Sequence, residues 1–327
     1  MERVDVVTLG EILVEIMRTK RDVPHNVVGE YVGPYPSGAP AIFADACARL
    51  GLRCGLIGVV GDDDFGQLAV TRLERDGVDI SYVKIKKNYT TGTAFVMYNS
   101  SGARKFIFHM RHAAAGQLSP HYVNVEYISK ARVLHVMGST LAINRRNYKT
   151  CFRAVEFAKK AGITITFDPN LRPELLDARA IRELCKPFLE ASNIVMLSQE
   201  EARTLTEIRN PIEAAKKLLE FGPKIVAIKM GDKGSIALTR EKIIIEPAFE
   251  VNEIDPTGAG DVYDAAFVVE LLKGSPLEKV IKFANAAGAI KVTRFGPMEG
   301  PTSYKEVEDF IAKAKLKQIP PSDTHLL

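Results

Sequence analysis

Much that would tie this chain to a special environment is missing from it. The four cysteines, Cys47, Cys54, Cys151 and Cys185, form no CxxC pair and lie in apolar or helical contexts. That excludes a disulfide framework and a cysteine-based metal centre, and leaves them as reduced packing residues. No apolar run approaches the ~18 residues needed to span a bilayer. The opening MERVDVVTLGEILVEI carries acidic side chains and lacks a signal-peptide pattern, so a cytoplasmic protein is expected. Neither sign of charge dominates: 44 basic against 40 acidic residues leave a net +4, with Lys and Arg scattered. Neither a nucleic acid nor a membrane surface is therefore expected as a partner. No G-x-G-x-x-G follows the first predicted strand, which counts against a nicotinamide-dependent oxidoreductase. Internal repeats and low-complexity linkers are also missing.

What is present is a chain of 327 residues, 46% hydrophobic and 26% charged, long enough to bury a core as one large α/β domain or two smaller ones. Its most informative stretch is residues 254–269, IDPTGAGDVYDAAFVV. Asp255-Pro256 marks a turn. Gly258-Ala259-Gly260 is a backbone almost without side chains, able to take φ > 0 and to approach a ligand closely. Val262, Ala265, Ala266 and Val269 then recur at helical spacing, which puts the glycines at a helix N-terminus. Free amides and the helix dipole there make an anion site. Asp261 stands where it would repel a phosphate unless it takes a proton from an attacking hydroxyl. A plain Gly-rich turn with Asp as N-cap is the other reading of this stretch alone.

Asp255-Pro-Thr-Gly-Ala-Gly-Asp261, followed by Asp264, Ala265, Ala266 and Phe267, resembles the C-terminal signature of the ribokinase-like (PfkB) carbohydrate kinases. Further features in family order extend the resemblance over nearly the whole chain. It implies ATP-dependent phosphorylation of a sugar hydroxyl with Mg²⁺ as cofactor. Asp261 would be the base, and Gly258, Ala259 and Gly260 the anion hole. A monovalent cation such as K⁺ is left open. Asp168-Pro-Asn-Leu-Arg172 resembles a family motif at the carboxyl end of a strand. It would put Asp168 and Asn170 near the phosphates or metal and Arg172 near the substrate. In Ser198-Gln-Glu-Glu201, where the family has Asn-x-x-Glu, Glu201 would reach the metal through water. Lys229, Gly231, Gly234, Thr257 and Asn285 complete the expected nucleotide site. Glu15 and Gly38 resemble sugar-binding positions.

The chain departs from the family pattern on the sugar side. Ser37 and Ile42 replace the first glycine and the asparagine of Gly-Gly-x-x-x-Asn. Met110 and Ala115 stand where fructokinase-like relatives tend to have Arg and Asp. Arg111 is the candidate for the missing guanidinium, with His109 and His112 either facing the sugar or serving as ordinary surface or core residues. The expected substrate is a ketohexose of the tagatose or fructose type, phosphorylated at a hydroxymethyl group. The alternative is 2-keto-3-deoxygluconate or another sugar acid or cyclitol. A non-catalytic sugar or nucleotide sensor is the competing class, and an intact Asp261 argues against it because a sensor needs no base.

Strand and helix patterns alternate from residue 4 to 293, which predicts a parallel sheet sandwiched by helices. With the resemblance, the expectation is one three-layer α/β/α ribokinase-like domain over 1–327. Two interrupting β patches, about 13–36 and 90–111, predict a small β lid, joined in part by a turn at 99–102. The lid is also the expected surface of a homodimer. Asp62 to Asp64 read as turn and cap chemistry. Residues 319–327 are expected to fray. An ordinary Asp261, with a pKa near ~3.9, would need orientation rather than activation.

Overall fold

Short runs of Val, Ile and Leu form strands, and most of those in the larger sheet are covered on both faces, as a parallel sheet requires. The computed structural model describes residues 4–100 and 104–318. The second half of the 99–102 turn and the 319–327 tail lie outside the described residues. The strands are β1 (Val6–Glu11), β2 (Leu13–Arg18), β3 (Tyr31–Ser37), β4 (Cys54–Gly61), β5 (Val83–Lys86), β6 (Gly92–Tyr98), β7 (Arg104–His109), β8 (Val133–Met137), β9 (Thr164–Asp168), β10 (Ile194–Ser198), β11 (Ile225–Lys229), β12 (Ser235–Leu238) and β13 (Ile243–Glu246).

A nine-stranded sheet has the order β13-β12-β11-β10-β9-β8-β1-β4-β5. From β11 to β5 every pairing is parallel. β12 and β13 break the expected rhythm by pairing antiparallel at one edge. The links before and after β12 are too short for a crossover helix, so the chain can only turn back. Alternate residues feed two cores. Val6, Val133 and Met137 face one, with helices Ala39–Arg49, Ala259–Leu272 and Leu277–Val292. Val7, Leu9, Leu134 and Val136 face the other, with helices Arg145–Lys160, Ala178–Ala191 and Pro211–Leu219. The result is the expected three-layer α/β/α arrangement. Helix Ala259–Leu272 is buried from Asp261 to Glu270 and packs on helices Ala39–Arg49 and Leu277–Val292. Its apolar positions therefore run all round it, the pattern of a helix inside a core.

The two interrupting β patches pair with each other in a four-stranded sheet, order β3-β2-β6-β7. β2 and β6 are parallel, while the outer pairings are antiparallel. Only Ile12 separates β1 from β2. The Asp cluster is cap chemistry as expected: Asp63 caps helix Asp64–Arg75 by accepting the Gly66 amide at 2.8 Å. All four cysteines are free and buried. Among the described residues no helix is long and apolar enough to cross a membrane.

Candidate active site

Open parallel sheets bind ligands beyond the carboxyl ends of their strands. Here that edge carries Glu11, Asp168, Ser198 and Lys229, the last residues of β1, β9, β10 and β11. All four line a cleft of about 450 Å³ that runs between the main sheet and the second sheet. That volume suits a small molecule.

Gly258 begins helix Ala259–Leu272 in the left-handed region (φ 81°), and no side chain caps this end. A Cβ at Gly258 would collide with the Pro297 carbonyl. The Ala259 amide is spent on the Pro256 carbonyl at 3.2 Å, while the amides of Gly258 and Gly260 have no partner among the described residues. An anion can be met by those unpaired amides and the positive end of the dipole. Asp261, in the first turn, is 7% exposed, and its Oδ1 accepts from Asn170 Nδ2 at 3.0 Å. Burial first, and the Asp168 carboxylate next, push its pKa up to about 7, against the pull of Lys229 and Arg172. The ordinary carboxylate expected from the sequence is thus corrected: this one sits where it can both hold and release a proton at neutral pH.

Asn170 reaches Asp261 from a left-handed backbone (φ 38°), and its amide donates to Asp168 Oδ1 at 2.8 Å. The Lys229 ammonium bridges two buried carboxylates, Asp168 Oδ2 at 2.9 Å and Asp264 Oδ1 at 3.0 Å. Burial raises the Asp168 pKa, but Lys229 outweighs it and holds Asp168 ionised; burial wins at Asp264, whose pKa is raised. The Lys229 ammonium and the ionised Asp168 stay buried because each offsets the other, while Asp264 is held towards its neutral form.

Glu201 is occupied more fully than the sequence suggested. Its Oε1 accepts the Leu171 amide at 2.7 Å and its Oε2 the Ser198 amide at 2.7 Å, while Ser198 Oγ caps the Glu201 amide. This is a capping box on helix Gln199–Thr206. Ser198-x-x-Glu201 is the sequence pattern of such a box. Among the described residues no group of three or more His, Cys, Asp or Glu could hold a metal. Mg²⁺ is usually bound mainly by phosphates and waters with one or two protein carboxylates. Glu201 and Asp168 line the cleft.

Past the anion site, Gly231 (φ 61°), Gly234 (φ 99°) and Asn285 line the cleft. Asn285 Nδ2 donates to the Glu246 and Pro247 carbonyls at 3.1 and 3.3 Å. Thr257 also lines the cleft, its amide donating to Asp255 Oδ1 at 2.9 Å. At the other end Glu15, Gly38, Ile42, Met110 and Arg172 line the walls. Glu15 accepts the Ser37 hydroxyl at 2.6 Å and leaves Oε2 buried without a partner. Burial, only partly countered by Ser37, raises its pKa. Glu11, not singled out from the sequence, accepts Ser139 Oγ at 2.6 Å and Thr140 Oγ1 at 2.5 Å. Arg104, also missed, lines the cleft from β7. Arg111 is not brought in: its side chain is exposed, and its Nε donates to the Ile143 carbonyl at 3.1 Å. His109 and His112 are exposed and outside the lining, and Ala115 packs in a small apolar cluster with Leu13 and Met110.

A buried carboxylate in the first turn of a glycine-led helix, at the carboxyl edge of a parallel sheet and facing a second sheet, is the arrangement of a phosphotransferase acting on an alcohol. The chain belongs to the pfkB family of carbohydrate kinases, whose sequence profile matches residues 3–303. It is 33% identical to fructokinase-1 of Zea mays over 318 residues, 94% of this chain and 98% of that one. Among solved structures, a protein named Ribokinase II from E. coli, in complex with ATP and Mg²⁺, is 40% identical with a TM-score of 0.88, covering 95% of this chain and 99% of that chain. A fructokinase double mutant from Vibrio cholerae O395, bound to fructose, ADP and potassium ion, is 26% identical with a TM-score of 0.85, over 95% and 99% of the two chains.

Proposed function

We propose that the protein transfers the γ-phosphoryl group of ATP to a hydroxymethyl group of a ketohexose such as fructose or tagatose. The observation that carries this is the Asp261 carboxylate, buried beside the unpaired amides of Gly258 and Gly260 and held by Asn170. The names of the similar fructokinases supply the sugar class. In the reaction the sugar hydroxyl forms a bond to the γ-phosphorus, its proton passes to Asp261, and the bond from that phosphorus to the β-phosphate oxygen breaks to release ADP. The Gly258–Gly260 turn stabilises charge on the transferring group. Mg²⁺, when bound, neutralises phosphate charge, and Glu201 and Asp168 are the residues that would hold it, Glu201 through water. Lys229, Gly231, Gly234, Thr257 and Asn285 line the nucleotide end. Glu15, Gly38 and Arg172, with Glu11 and Arg104 added, line the sugar end. The second sheet acts as a lid that keeps water from accepting the phosphoryl group. The protein works in the cytoplasm as a homodimer through that sheet.

A second reading rests on Arg104 and Arg172, two guanidiniums at the cleft that suit a sugar carboxylate. The deciding measurement is kcat/KM across fructose, tagatose, ribose, 2-keto-3-deoxygluconate, myo-inositol and adenosine. Ketohexoses should lead. A sugar acid at least about a hundredfold better, a difference of roughly 2.7 kcal/mol, would move the assignment to the second reading.

A further inference from the structure

Lys291, near the end of helix Leu277–Val292, has no exposed surface, although its side chain carries a charge. A buried ammonium is unfavourable unless partnered. Its Nζ donates to the Asp255 carbonyl at 3.0 Å and the Arg294 carbonyl at 3.1 Å, and lies 3.9 Å from Asp255 Oδ2. These partners belong to the two segments that shape the anion hole. Asp255 Oδ1 accepts the Thr257 amide at 2.9 Å and the Tyr98 hydroxyl at 2.6 Å, and its Oδ2 accepts the Gly296 amide at 2.9 Å. The Ile254 and Asp255 amides bond the Val292 carbonyl at 2.7 and 3.1 Å. The Pro297 carbonyl, three residues beyond Arg294, closes the space over Gly258. One buried positive charge thus ties residues 254–258 to residues 292–297.

The partners around that charge are of a particular kind. Two backbone carbonyls and one carboxylate, with no water-exposed side, are the oxygen donors that replace the hydration shell of a monovalent metal ion. We propose that Lys291 is a tethered cation that takes the place of a monovalent metal ion beneath the anion hole, so that turnover needs no added K⁺. This rests on the kinase reading above. Lys291 touches neither the phosphates nor the sugar in this arrangement. It is a positioning residue, acting through Asp255 and the 254–258 turn on the amides of Gly258 and Gly260.

The test compares wild type, Lys291→Ala and Lys291→Met for sugar-dependent ADP release in chlorides of K⁺, Na⁺ or tetramethylammonium at constant ionic strength. Wild type should vary by less than about twofold among the salts. Lys291→Ala, which opens space, should lose at least about tenfold in tetramethylammonium and regain several-fold in K⁺. Lys291→Met, which fills the space without charge, should lose as much and regain nothing. A structural role alone would not give this salt-specific rescue. The proposal is overturned by a wild type that K⁺ activates tenfold, or by a Lys291→Ala protein that is fully active in every salt. A wild type inactive on every sugar would instead defeat the kinase reading. Melting temperatures then decide the cation question: stabilisation of Lys291→Ala by K⁺ but not by tetramethylammonium supports it, and equal values overturn it.

Discussion

Asp261 is asked to be buried and to ionise, and these demands oppose each other. With its pKa pushed up to about 7, Asp261, as the proposed base, would be lost to the free enzyme as pH falls through that value. A plot of kcat/KM against pH should therefore drop on the acid side with an apparent pKa near 7; a limb below about 5 would remove Asp261 as the titrating base. Stability runs the other way. The unfolded carboxyl titrates near about 3.9, so between that pH and 7 the native state binds more protons, and stability from this group falls as pH rises. Asp261→Asn should thus lose roughly 10²–10⁴ in kcat without a lower melting temperature at pH 8. A variant within a few-fold of wild-type activity would end the assignment. At this scale the sequence was legible where chemistry restricts residue type. Gly258, Gly260 and Asp261 admit few substitutes, and all lie at the cleft. Arg104 and Glu11 were not legible, because an arginine on β7 and a glutamate closing β1 reach the cleft only through tertiary packing.

Between elements, a buried charge cluster fastens the loop that presses on Gly258. Arg72, in helix Asp64–Arg75, donates through Nη2 to the Met298 carbonyl at 2.8 Å and through Nη1 to Glu299 Oε1 at 2.6 Å, and its Nε meets Asp76 Oδ2 at 2.7 Å. Asp45, on helix Ala39–Arg49, lies 3.5 Å from the same guanidinium. Removing Arg72 takes away its bonds to the Met298 carbonyl, Glu299 and Asp76 and leaves the buried Asp45 with Arg49 at 3.5 Å as its counter-ion. Arg72→Ala should cost about 3–5 kcal/mol by denaturant unfolding; a loss below about 1 kcal/mol would mean the loop is held otherwise. Elements with strong periodicity, such as helix Arg145–Lys160 and the parallel strands, could be read directly. The β12–β13 edge could not, because a four-residue apolar run has no period of its own and its direction is set by the length of the link. Arg111 lies away from the cleft for a related reason. Two residues past the end of β7, its side chain follows a turn rather than the sheet, and it finds the Ile143 carbonyl instead of the cleft.

For the whole molecule, the second sheet has two open edges, β3 and β7, and Ile107 on β7 is 41% exposed. Exposed edges of this kind are usually covered. Light scattering at micromolar concentration should give twice the chain mass of 36.0 kDa, and Ile107→Lys should return it to a monomer. A wild-type monomer would refute pairing through this sheet. The two β patches could be seen from sequence, but not that β2 pairs with β6 in parallel, since that join spans more than seventy residues of chain. The single residue between β1 and β2 has a mechanical meaning. Glu11 closes β1 of the central sheet and accepts from Ser139 and Thr140 of helix Gly138–Ile143, while Glu15 rides on the second sheet with Ser37. If one sheet rocks on the other about Ile12, the gap between these two carboxylates changes with it. A sugar whose hydroxyls spanned that gap would act as a latch, and the enzyme would measure its substrate by length as it shut.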